Sequence, residues 1–191
     1  MTHDFIYHNP TKIYFGNGML AHLPEEISRL GSRVLLITGG SSAKKSGLFD
    51  KVLAEISQAN VDCYGLSGVK PNPEIDLVRE GIRLVREKRL DLILALGGGS
   101  VLDTAKVIAG SAPYDADPWD LIRSRAAIDT ALPLITIPTI AATGSEMNAS
   151  AVITNNAVAA KMVAAAYKDA QVIKEIATGE EYGICVNKDN D

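Results

Sequence analysis

Leu92-Ile93-Leu94-Ala95-Leu96-Gly97-Gly98-Gly99-Ser100-Val101-Leu102-Asp103-Thr104 decides the fold. Five consecutive apolar residues are enough for a buried strand and too few for a helix, and three glycines then interrupt the run. From Val101 to about Ala112 the sequence reads as a helix. An apolar strand that passes through a glycine turn into a helix is the repeating unit of a parallel sheet covered on both faces.

The same alternation continues on either side. Upstream, Val34-Leu35-Leu36-Ile37-Thr38 is a second buried-strand run, ending at Gly39-Gly40. Leu48, Val52 and Ile56 then recur at four-residue spacing, which places them on one stripe of a helix. Val61 to Gly65 reads as the next strand. Pro71-Asn72-Pro73 forces an extended turn before a helix near Glu74 to Lys88, with Leu77, Gly81, Leu84 and Val85 on one side. Downstream, Pro113 to Asp120 reads as a loop in which Asp117-Pro118-Trp119-Asp120 makes a turn, and Pro133-Leu134-Ile135-Thr136-Ile137 is a strand closed by Pro138. Lys12 to Gly18 is expected to form a hairpin arm or edge strand. The predicted architecture is an α/β fold with an open, mostly parallel, Rossmann-like sheet and helices on both faces.

The texture changes after Thr154. Seven of the fourteen residues from Ala157 to Ala170 are alanine, which predicts a helix. Val172 to Ile176 and Tyr182 to Val186 read as short strands. The tail is thus expected to add a helix and one or two strands to the same domain.

With 191 residues, the chain corresponds to a little over one domain of about 150 residues. A hydrophobic content of 47% with 22% charged residues disfavours disorder and coiled coil. The net charge of −4 leaves no basic footprint for a nucleic-acid backbone. No apolar run approaches the roughly 20 residues that cross a bilayer, and Met1-Thr2-His3-Asp4 lacks the features of a signal peptide, so the expected location is cytoplasmic. Cys63 and Cys185 form no CxxC pair and are read as small buried hydrophobes. His3, His8 and His22 all lie in the N-terminal arm, too scattered for a metal cluster.

Three loops carry ligand-binding chemistry. At Gly97, Gly98 and Ser100 the backbone can approach a ligand without interference from a Cβ, and the amides opening the next helix present its positive dipole end, as a pyrophosphate requires. The competing reading makes Ser100 an N-cap and Asp103 part of a capping box. Gly40, Ser41 and Ser42 lie at the equivalent end of another strand, where open α/β sheets bind ligands. Lys44 and Lys45 follow, either beside a ribose phosphate or on a solvated helix face. The third loop, Pro138-Thr139 through Thr143-Gly144-Ser145-Glu146-Met147-Asn148, either wraps a ribose or nicotinamide or caps its own backbone. No Ser-His-Asp arrangement can be assembled.

Together with Thr11-Lys12-Ile13-Tyr14-Phe15-Gly16, Pro71-Asn72-Pro73 and Asp117-Pro118-Trp119, these loops resemble the N-terminal half of iron-containing alcohol dehydrogenases. The resemblance spans residues 5 to about 154 and is greatest to the NADPH-preferring butanol-dehydrogenase and aldehyde-reductase branch. It implies a dehydroquinate-synthase-like fold, with an α/β domain that binds NAD(P). A separate helical domain would hold iron or zinc through one aspartate and three histidines. It also implies that Gly97, Gly98 and Ser100 cradle the pyrophosphate and that Gly40, Ser41 and Ser42 lie by the adenosine ribose. The absence of an acidic residue there favours NADP over NAD. Thr139 and Thr143 would touch the adenine or nicotinamide side. Asp103 matches the family motif, whereas Ile140 and Ala142 depart from it.

The resemblance implies a metal-binding continuation after Ala151-Val152-Ile153-Thr154, and the expectation is that this chain does not follow it. Asn156 to Ala160 and Thr178 to Asp189 resemble instead a C-terminal stretch of periplasmic amino-acid-binding proteins, with a junction between Ala151 and Asn156. The expectation is a chimera: residues 1–154 form a cofactor domain, and residues 155–191 form a solute-binding-protein-like segment packed on it. Such a chain would bind the dinucleotide but lack the metal ligands and turn over weakly or not at all. Its uncovered former domain interface would favour self-association. The alternatives are a non-catalytic scaffold and an amino-acid-binding module.

Overall fold

The computed structural model describes residues 9–124, 128–142, 144–158, 160–164 and 185–187. Its main sheet has six strands in the order β1-β8-β5-β4-β2-β3, and β6 and β7 form a separate antiparallel pair. The strands are β1 Thr11–Ile13, β2 Arg33–Thr38, β3 Asp62–Leu66, β4 Leu92–Gly97, β5 Leu134–Pro138, β6 Ala151–Asn155, β7 Ala160–Ala164 and β8 Cys185–Asn187. The central four, β3-β2-β4-β5, are parallel, and β8 lies antiparallel between β5 and β1.

Successive side chains of a strand point to opposite faces, so the continuous apolar runs serve two cores. Val34, Leu36, Leu92, Leu94, Leu96, Ile135 and Ile137 pack under α1 (Leu23–Leu30) and α3 (Leu48–Gln58). Leu35, Ile37, Ile93, Ala95 and Leu134 face α4 (Ile75–Lys88), α5 (Gly99–Ser111) and α6 (Pro118–Ser124). The expected stripe Leu48, Val52 and Ile56 is fully buried. On α4 the buried face is Ile75, Val78, Gly81, Ile82 and Val85, while Leu77 and Leu84 flank it half-buried. Gly81 is the point of closest approach to α5, because a Cβ there would lie 2.3 Å from Ile108 Cδ1.

Three expectations are corrected and one is narrowed. Asp117-Pro118-Trp119-Asp120 opens a helix: Pro118 begins α6, and the Asp117 carboxylate accepts the Trp119 amide at 2.9 Å. Pro is tolerated in a first turn, where its missing N–H would have no partner. In the alanine-rich segment, Ala160–Ala164 is a strand, paired with β6 from Asn155↔Ala160 to Ala151↔Ala164. Helix propensity favours alanine by only tenths of a kcal/mol per residue, and a complete β ladder outweighs it. Residues 165–170 and Val172 to Ile176 lie outside the described residues. Of the two forms expected of the arm at Lys12 to Gly18, the structure takes the edge strand, over Thr11–Ile13, with β8 as its partner. Finally, Cys63 is exposed, because β3 is the outermost strand of the sheet and only Leu66 of its five residues is buried. The side chain of Cys185 lies outside what is described.

Helix α5 is central to both the fold and the site. Val101, Leu102 and every residue from Thr104 to Ser111 are buried. A helix buried on all sides is normally apolar on all sides, and α5 carries two charged residues, the partly buried Asp103 and the fully buried Lys106.

Candidate functional site

The strand order reverses between β2 and β4. From β2 the chain crosses to β3 on one side, then returns through α4 to β4 on the other side of β2. Loops leaving the carboxyl ends of the two strands at such a point diverge and open a crevice, where α/β sheets receive ligands. Gly39 to Ser42 follow β2, and Gly97 to Ser100 follow β4, so the two glycine loops flank the crevice. Thr139, after β5, joins them through its amide, which donates to Gly97 O at 2.9 Å.

The glycines do different things. A Cβ on Gly97 would lie 2.5 Å from Val101 Cγ2 and 2.9 Å from Val101 Cβ, and one on Gly39 would lie 3.3 Å from the same Cγ2. These two glycines make room for Val101. At Gly98 the nearest atom would be Ile140 Cδ1 at 3.9 Å, and at Gly40 nothing lies within 4 Å. Packing therefore explains Gly39 and Gly97, and leaves Gly40 and Gly98 bordering open space.

The capping reading of Ser100 is corrected. Helix α5 begins at Gly99 with Gly98 as its N-cap, in extended conformation, and no side chain caps it. Ser100 lies inside the first turn, where its carbonyl accepts the Thr104 hydroxyl at 2.9 Å. The start of α5 thus offers uncapped amides and the positive end of a 13-residue helix to the crevice. Gly40, Ser41 and Ser42 are exposed, and Ser41 precedes the short helix α2, Ser42–Lys45. Lys45 is exposed, whereas Lys44 Nζ rests over the Phe49 ring, 5.1 Å from its centroid. No acidic residue stands in the loop from Gly39 to Ser42. Thr143 lies outside the described residues.

Asp103 does not belong to a capping box. Its carboxylate accepts the Ser145 hydroxyl at 2.6 Å and the Val152 amide at 3.0 Å, tying α5 to the loop after β5. One turn on, Lys106 donates to the same loop, a contact the sequence reading missed. Its Nζ lies 2.9 Å from Ser145 O, 3.4 Å from Asn148 O, 3.3 Å from Asn148 Oδ1 and 3.3 Å from Asp103 Oδ1, and it also donates to Ser150 O. Asn148 and Ser150 brace each other locally, as expected of a loop that caps its own backbone: Asn148 Oδ1 accepts the Ser150 amide at 2.9 Å, and Asn148 Nδ2 donates to Gly144 O at 2.9 Å.

A metal centre does not fit these residues. Among the described residues no three His, Cys, Asp or Glu side chains converge as ligands. His22 stacks on Tyr14 with centroids 4.6 Å apart, a packing role, while His3 and His8 lie outside the described residues. No described helix is long and apolar enough to cross a membrane.

Residues 10–177 match the model of the iron-containing alcohol dehydrogenase family. The chain belongs to that family. Over 152 residues it is 47% identical to a probable NADH-dependent butanol dehydrogenase of Bacillus subtilis, covering 80% of this chain and 39% of the relative. It is 42% identical to an NADPH-dependent aldehyde reductase of Escherichia coli over 153 residues, or 78% and 39% of the two chains. A butanol dehydrogenase structure from Thermotoga maritima superposes with a TM-score of 0.80 at 40% identity, over 84% of this chain and 40% of that one. The chain therefore spans about two-fifths of the length of these relatives. The family match extends to residue 177, past the junction expected between Ala151 and Asn156.

Proposed function

We propose that this chain is the nicotinamide-dinucleotide-binding part of an alcohol or aldehyde oxidoreductase. The observation that carries the reading is the meeting of two strand-end glycine loops at the strand-order reversal, with the uncapped start of α5 between them. Gly98 and the first amides of α5 would receive the pyrophosphate, with Ser100 beside them. Gly40, Ser41 and Ser42 would lie along the adenosine ribose, and Thr139 and Thr143 along the remaining wall. When bound, the nicotinamide supplies hydride transfer; these residues bind and orient it.

The loop after β2 favours NADP, since it presents no carboxylate to a 2′-hydroxyl and has exposed Lys45 nearby. Relatives carry both names, one NADH-dependent and one NADPH-dependent, so the preference of this chain rests on its own loop residues as a proposal. With no metal site among the described residues, turnover of alcohols or aldehydes by this chain alone should be weak or absent. The extent of the family match supports a tail that continues the family's pattern, against a solute-binding segment starting near residue 155.

A non-catalytic scaffold is the second reading. It is favoured by Gly39 and Gly97, whose absent side chains are already explained by Val101. Calorimetric titration with NADPH, NADH and a free amino acid separates the readings. Binding of NADPH in preference to NADH is expected. Absence of binding by either dinucleotide would leave the scaffold, and saturable amino-acid binding would restore the solute-binding alternative.

A further inference from the structure

Among the described residues Lys106 is the largest fully buried side chain, at 0% exposure. A buried ammonium is costly unless each proton finds an oxygen. Here it finds the carbonyls of Ser145, Asn148 and Ser150 and the side-chain oxygen of Asn148, all from one short loop, with Asp103 of its own helix alongside. Those carbonyls in turn have their need for a donor met by a single charge. The loop contributes no regular strand or helix over this stretch beyond the three-residue turn Ser145–Met147; Asn9 Nδ2 donates to Met147 O at 3.0 Å and Asn148 braces the loop internally, while Lys106 is the side chain that gathers three of its carbonyls at one point. Its upstream end passes the glycine loop, with the Thr139 amide on Gly97 O and the Ile140 side chain beside the open position at Gly98.

We infer that Lys106 is a positioning residue for the dinucleotide crevice, its ammonium clamping residues 145–150 so that residues 139–142 stand as the crevice's third wall. The inference rests on the dinucleotide-binding reading above for its ligand, but the clamp itself does not. Asp103 is the second point of the clamp. It holds the Ser145 hydroxyl and the Val152 amide, at the beginning and just past the end of the segment that Lys106 grips.

Charge is central to this role. Burial pushes the ammonium below its ordinary value, while Asp103 and Glu146, the charged groups acting on it, draw it back up. Raising the pH therefore removes the proton from Lys106 before it would from an exposed lysine. The clamp then loses a donor and its charge while the side chain keeps its shape.

The test uses the whole chain with Lys106→Met, which keeps the length of the side chain and removes the ammonium. Hydrogen exchange without ligand should show faster exchange in residues 139–152, with the core strands β2 and β4 unchanged. NADPH affinity should fall by about tenfold or more, as expected when the competent loop arrangement drops to about a tenth of the population. ADP, which carries the adenosine and the pyrophosphate but no nicotinamide half to meet the third wall, should bind the variant within about twofold of the parent. The parent's NADPH affinity should also decline on the alkaline side in a way the variant's does not. Unchanged exchange in 139–152 overturns the clamp. Faster exchange with unchanged NADPH affinity, or with equal losses for NADPH and ADP, overturns its link to the crevice. If the parent itself binds neither nucleotide, the functional reading fails while the exchange result still decides the clamp. Should Lys106→Met fail to fold, Asp103→Asn, which weakens the second clamp point, is put through the same measurements and must shift exchange and the NADPH-to-ADP ratio in the same direction.

Discussion

Gly97 and Gly98 are adjacent, yet alanine at each should fail in a different way. At Gly97 the new Cβ would meet Val101 at 2.5 and 2.9 Å, well inside any real carbon–carbon contact, and the second of those atoms is the branch carbon of a helical residue. Relief requires α5 to move away from β4, and overpacking of this kind costs about 1–3 kcal/mol. For a chain of this size each kcal/mol lowers the melting temperature by about 2–4 °C. At Gly98 the new methyl meets only Ile140 Cδ1 at 3.9 Å, and the backbone, at φ −82° and ψ −174°, suits any residue. Losing a glycine N-cap costs a few tenths of a kcal/mol or more, and restricting the unfolded chain returns about 0.4–1 kcal/mol, so net stability should stay within about 0.5 kcal/mol. The methyl does occupy the space over the first amides of α5. Gly98→Ala should therefore weaken NADPH binding by at least about tenfold, or 1.4 kcal/mol, in a stable protein. Urea unfolding paired with calorimetric titration reads both quantities. Parent-like NADPH affinity in Gly98→Ala, or equal stability losses in the two variants, would refute the division of labour between these glycines.

Two further predictions concern the frame around the site. Burial pushes the Glu26 carboxyl up, but hydrogen bonds from Lys12, Tyr14 and Arg29 outweigh this and leave it below the usual carboxylate range. A lowered folded-state value means stability present above the unfolded value of about 4.3 and lost as pH falls through the folded one. Glu26→Gln should cost about 1–3 kcal/mol at pH 7, with the gap to the parent closing below about pH 4 in a series of denaturation curves. Asp117→Ala removes the cap of α6 and one of the two carboxylate partners of Arg79, and thermal melting should show a loss of about 1 kcal/mol. Asp117→Asn keeps a capping oxygen and should recover most of it, because the ion pair is partly exposed.

Three of the four central strands, β2, β4 and β5, were legible because an apolar run bounded by glycine or proline has few other uses in an α/β domain. Helix stripes were legible where the period was clean, as at Leu48, Val52 and Ile56. The errors share a cause, which is that a short-range pattern was read without its partner. Asp117-Pro118 is equally a turn and a helix start, and Trp119 and Ile122, both buried, decide between them. The alanines after Asn156 favour a helix until β6 supplies an unpaired edge. Ser100 has the chemistry of a cap, but three glycines let the helix begin earlier. Lys106 carried a signal that was overlooked: a lone lysine between Ala105 and Val107, in a helix with no polar face, three residues after Asp103. The position of the two glycine loops at strand ends was legible, whereas the contacts of Lys106 depend on where residues 144–152 return, which no local pattern encodes.

Val101 lies against both Gly39 and Gly97, so one core side chain fills the space between the starts of the two loops, whose strands the β2–β4 ladder already holds in register. The crevice is thus gauged by the protein's own core. A ligand entering it would not have to order the loops first, and that conformational entropy is already spent when the sheet folds. Affinity should then respond to the width of residue 101: Val101→Ala would leave the loops free to drift, and the penalty would appear as an unfavourable binding entropy with the contacts themselves unchanged.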